Sequence, residues 1–119
     1  MLNRKTRALG RLPAGAMNNT EKAYAEVLRH RQMCGDIVWW GFEVMKFKLA
    51  DKCFYSPDFS VMLANGEIEQ HEVKGSPRIF QDDAKVKVKV AASEFPFRFV
   101  VCYPKTKKEG GGFRREKVS

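Results

Sequence analysis

Tyr55-Ser56-Pro57-Asp58-Phe59-Ser60-Val61-Met62-Leu63-Ala64-Asn65-Gly66-Glu67-Ile68-Glu69-Gln70-His71-Glu72-Val73-Lys74-Gly75 holds two apolar runs joined by Asn65-Gly66, a dipeptide that suits the tight turn of a β-hairpin. Side chains alternate along a strand, so Glu72 and Lys74 share a face while Val73 and His71 point the other way. If the hairpin sets the Asp58 end beside the Glu72 end, two carboxylates and an ammonium converge. Hard oxygen donors beside a lysine have the composition of a divalent-metal site suited to phosphodiester hydrolysis.

Upstream, Asn18 or Thr20 offers a helix cap, and Asn18 followed by Glu21 fits a capping box. Glu21, Tyr24, Ala25, Leu28 and Arg31 or Gln32 then fall on one helical face, with Gly35 as the stop. Glu26 lies on the other side with Lys22 and Arg29, where pairing on the helix surface explains it. Residues 37–49 read as one long strand, bulged near Met45, with Asp51-Lys52 as a turn and residues 53–55 as the return. Trp39 and Trp40 are expected to pack in or support the core.

Downstream, residues 76–81 form a loop holding Pro77 and Arg78. Residues 85–90 alternate as a strand would, yet Ala84, Val88, Ala91 and Phe95 also make a helical stripe opened by Asp82 as N-cap and closed by Pro96. Helix is the reading adopted, because the apolar strand at 97–103 is most simply a parallel neighbour of the preceding strand and needs a right-handed crossover.

The chain has 119 residues, 44% hydrophobic and 30% charged, with a net charge of +8. That suits one soluble domain in the cytoplasm, with no apolar run of membrane-spanning length and no signal-peptide pattern. Cys34, Cys53 and Cys102 form no C-x-x-C pair, which fits a reducing compartment. The excess charge sits at the ends. Residues 1–17 carry Arg4, Lys5, Arg7 and Arg11 with no acid, and residues 105–119 carry six basic against two acidic residues. Residues 18–104 are balanced at twelve of each. Two flexible basic arms on a neutral domain suit phosphate neutralisation, a salt-sensitive and sequence-independent contribution to nucleic-acid affinity.

Pro57-Asp58 followed by Glu72-Val73-Lys74 resembles the PD-(D/E)XK nuclease motif, and residues 18–104 are similar in frame to small endonucleases and junction resolvases of phages and mobile elements. The resemblance implies an α/β restriction-endonuclease-like core: helix, three antiparallel strands, helix, strand, in a mixed central sheet. It implies a Mg²⁺-dependent DNA endonuclease, Mn²⁺ substituting, with Asp58, Glu72, the Val73 backbone carbonyl and Glu21 around the metal and Lys74 as catalytic lysine. DNA would be held by Arg78, Lys85, Lys87, Lys89, Lys105, Lys107 and Lys108, in the cytoplasm of a bacterial or phage-infected host cell. Branched DNA is a candidate substrate, and a resolvase of this size would act as a homodimer, since two strands need two sites.

Competing chemistries have weaker support. His30 and Cys34 are spaced for half of a zinc site, but a closed site needs two more ligands. The chain has no G-x-S-x-G, no P-loop lysine motif and no G-x-G-x-x-G. A non-catalytic nucleic-acid-binding protein on the same frame is the alternative reading.

Overall fold

The capping box forms at the start of the first helix: Asn18 Oδ1 accepts from the Glu21 amide at 2.8 Å and Glu21 Oε1 accepts from the Asn18 amide at 2.9 Å. The computed structural model describes residues 15–76 and 82–118. Helix α1 (Asn19–Met33) buries Tyr24 and Leu28 and ends before Gly35, whose φ of 82° needs no side chain in the way.

Among the described residues seven strands follow: β1 (Ile37–Phe42), β2 (Phe47–Ala50), β3 (Cys53–Tyr55), β4 (Phe59–Leu63), β5 (Ile68–Val73), β6 (Arg98–Pro104) and β7 (Phe113–Val118), with helix α2 (Asp82–Glu94) between β5 and β6. Five of them make a mixed sheet in the order β1-β4-β5-β6-β7, parallel between β5 and β6 and antiparallel elsewhere. The expected hairpin is β4–β5, with Phe59 opposite His71, and α2 is the expected crossover to a parallel strand.

Two cores flank this sheet. Tyr24, Leu28, Ile37, Phe59, Val61, Val73, Val100 and Cys102 pack beneath α1, while Phe47, Tyr55, Val88, Ala91, Phe99, Val101 and Tyr103 pack on the other face. The α2 stripe holds: Val88 and Ala91 are buried, with Ala84 and Phe95 partly so. Trp40 packs on Phe59, ring centroids 5.9 Å apart, whereas Trp39 is 38% exposed on the edge strand.

The structure corrects two expectations. Residues 37–49 are two strands: Glu43 adopts a φ of 52°, the chain turns out of the main sheet, and β2 pairs with β3 in a separate two-stranded sheet. Phe47 on β2 finds apolar partners in Phe95, Phe97 and Phe99, and so closes the second core. The tail is not a free basic arm through residues 113–118. Thr106 and Glu109 form a capping box on the 3₁₀ turn Lys107–Glu109, Gly110, Gly111 and Gly112 all take positive φ, and β7 returns antiparallel to β6. Phe113 anchors that return against Tyr24, ring centroids 4.9 Å apart. Most of the N-terminal arm, residues 1–14, lies outside the described residues. Among those described, no helix is long and apolar enough to cross a membrane.

Candidate active site

Asp58 stands just before β4, fixed by the buried Pro57 behind it and by its own carbonyl, which accepts from the Glu43 amide at 2.8 Å. Its Oδ2 accepts from the Val73 amide at 2.8 Å, so the carboxylate is tied to the end of β5. Glu72 and Val101 are paired across the parallel ladder, and Glu72 therefore faces the α2 side with Asp58. Lys74, one residue past β5, brings Nζ to 3.2 Å from Glu72 Oε2. The convergence expected from the hairpin is present.

Burial first, and then the charge of Glu72, push the Asp58 carboxyl up to about 8, with Glu21 adding and the Val73 amide and Lys74 opposing. Glu72, only 7% exposed, is also raised, mainly by burial and against the pull of Tyr55 and Lys74. Among the described residues, two carboxylates are crowded where the Lys74 cation does not compensate both. Such a pair favours an added positive charge.

Glu21 and Glu26 separate as their helix phase suggests. The negative charge of Glu21 is felt by both Asp58 and Glu72, whereas Glu26 is exposed and paired with Arg29. Glu21 is at the same time committed to its capping box through Oε1. Among the described residues no group of three or more His, Cys, Asp or Glu side chains is gathered so as to hold a metal ion. The convergent donors are thus the two carboxylates of Asp58 and Glu72.

Sequence reading missed Tyr55. This buried residue on β3 donates its hydroxyl hydrogen to Glu72 Oε1 at 2.7 Å, which leaves Oε2 to Lys74. Burial and the neighbouring carboxylate raise its pKa, so the phenol remains a donor. No spacing rule announces this hydrogen bond, because it depends on how a separate hairpin folds over the sheet. On the same face Ser60 donates to Gln70 Oε1 at 2.5 Å and Gln70 Nε2 lies 3.1 Å from Met45 Sδ, so the floor beside the acids is polar and satisfied.

His71 is fully buried on the opposite face, between the Tyr24 hydroxyl at 2.5 Å from Nδ1 and Glu69 at 2.9 Å from Nε2. That is a packing role. His30 and Cys34 are exposed on α1 and just beyond it. Of the basic candidates, Lys85 and Lys89 are exposed and Lys87 partly buried on α2, and Lys105, Lys107 and Lys108 are exposed after β6. Because β5 and β6 are parallel and the Lys74 amide donates to the Cys102 carbonyl at 3.0 Å, that turn leaves the sheet at the end carrying Glu72 and Lys74. Arg78 lies outside the described residues. No family model matches the chain, and neither does any curated protein or solved structure.

Proposed function

We propose that this chain is a Mg²⁺-dependent DNA endonuclease, Mn²⁺ substituting, with a restriction-endonuclease-like core similar to that of PD-(D/E)XK nucleases, and that it processes phage or mobile-element DNA in the cytoplasm. The observation that carries the reading is the meeting of Asp58, Glu72 and Lys74 at one end of β4 and β5, on one face of the sheet. The donor chemistry fits the ion: two hard carboxylates, both raised by burial and Asp58 further by the charge of Glu72, match the one or two that Mg²⁺ takes while keeping several waters.

Asp58 and Glu72 would hold the ion, with the Val73 carbonyl alongside and Glu21 acting through water from its capped position. When bound, the metal supplies charge stabilisation on the phosphate and a water of lowered pKa. Tyr55 keeps one Glu72 oxygen fixed, and Lys74 orients the attacking water and offsets charge as it develops. Lys105, Lys107 and Lys108 at the same end of the sheet would meet backbone phosphates.

A non-catalytic DNA-binding protein is the alternative, and the commitment of Glu21 to its capping box favours it. Supercoiled, linear, forked and four-way-junction DNA incubated with and without Mg²⁺ or Mn²⁺ separates the two. Metal-dependent cleavage lost in Asp58→Ala and Glu72→Ala, with binding retained, is the expected result. Binding without cleavage under every condition would leave the alternative standing, and cleavage by Asp58→Ala would remove the site.

A further inference from the structure

The opposite face of the sheet carries a second collection of charge. Beside the last turn of α1 opens a cavity of about 560 Å³ whose charged lining is Arg31, Arg98, Arg115 and Lys117 with Asp36 and Glu69. Strand alternation puts the cations there. Arg115 is opposite Cys102 and Lys117 opposite Val100, so both share the α1 face, while Arg114 and Glu116 pair with each other on the other side.

The acids of this region already have partners. Asp36 Oδ2 holds Arg31 Nε at 2.6 Å, and Glu67 and Glu69 lie 3.2 and 3.7 Å from Arg98, Glu69 also meeting His71. Arg115 and Lys117 have no carboxylate within ion-pair distance among the described residues. Arg31 Nη1 is buried with no hydrogen-bond partner among them, so the guanidinium is only partly compensated by Asp36. Glu69, which also lines the cavity, is held below its ordinary range chiefly by its hydrogen bond to His71, with Arg115 and Arg31 adding in the same sense.

We propose that this cavity binds a phosphate group, held by the Arg31 guanidinium, Arg115 and Lys117, which all line it, on the side of the sheet away from Asp58 and Glu72. Guanidinium forks match phosphate oxygens in spacing and charge, and the three donors come from a helix and an edge strand held together where Tyr24 of α1 packs on Phe113 of β7. The site stands apart from the nuclease reading and survives its failure.

The test is an NMR titration of the full chain with inorganic phosphate, following arginine side-chain and backbone resonances. Saturable shifts at Arg31 and Arg115 are expected, weakened about tenfold or more by the double substitution Arg115→Gln with Lys117→Gln. Both side chains are exposed on β7, and the remaining amide spectrum reports whether the fold is intact. Arg31→Lys, which keeps the charge but loses the fork, should also weaken binding and gives a second reading. No saturable shift, an unchanged affinity in the double variant, or equal binding of acetate would overturn the site. Competition then identifies the source within the supported outcomes. Displacement by an unphosphorylated single-stranded oligonucleotide points to the backbone diester, displacement only by its 5′-phosphorylated form points to a terminal phosphate, and displacement by neither points to a small phosphorylated molecule.

Discussion

Tyr55 reaches Glu72 from a strand outside the main sheet, so removing its hydroxyl tests orientation without touching charge. Tyr55→Phe should keep the fold and lower kcat about tenfold to a hundredfold, the worth of one hydrogen bond to a charged group, with little change in KM; steady-state kinetics on a cleaved duplex checks this. Asp58 makes a second prediction, in pH. Its folded pKa of about 8 lies above the ordinary 3.8, so between these values the folded chain holds more protons than the unfolded one. The Asp58 contribution to metal-free stability should therefore fall as pH rises from about 4 to about 8, Glu72 adding in the same sense and His71 opposing it below about 6.5, so the net fall is read above that value. Asp58→Asn should flatten the slope in denaturation midpoints, and Mg²⁺ should stabilise the native chain more at pH 8 than at pH 5. His71 works at the acid end: burial holds it below its usual value, so stability is lost as falling pH protonates the unfolded chain first. The positions of Asp58, Glu72 and Lys74 were legible because strand alternation and one turn dipeptide determine them. Tyr55 was not, since two strands of a different sheet had to fold over the acids first.

At the scale of elements, α1, the β4–β5 hairpin and the α2 crossover followed from capping, turn chemistry and the stripe Ala84, Val88, Ala91 and Phe95. The break after β1 did not, because Glu43 at positive φ carries no glycine signal while its neighbour Gly41 looks like an ordinary strand residue. Gly41 is in fact where the turn packs back: an added Cβ would meet Val44 Cγ1 at 2.8 Å and the Trp39 ring at 3.1 Å. Gly41→Ala should cost about 1–3 kcal/mol by overpacking, measured by urea denaturation, with loss concentrated in amide protection of β1 and β2. An Ala variant as stable as the parent would mean that Val44 moves aside freely.

Across the whole molecule, both basic ends were read as flexible arms, but β7 makes the second one structural. Removing everything after Pro104 would strip Phe113 from Tyr24 and leave β6 as a bare edge, so that truncation should unfold or aggregate the domain. The charge of this end is tested instead by changing Lys105, Lys107 and Lys108 to Gln. For each DNA phosphate that these lysines no longer neutralise, the slope of log K against log salt should fall by about 0.9 on duplex DNA, while cleavage at low salt persists. An unchanged slope would leave DNA binding to Lys85, Lys87 and Lys89. The same strand sets when the domain can form. Tyr24 is made early and waits for Phe113, and β6 stays unpaired on one side until residues 113–118 have emerged from the ribosome. A nascent chain halted at Pro104 would expose an unpaired edge and a half-covered aromatic cluster, so folding is completed late, and chaperones have their opportunity in the interval between those two points of synthesis.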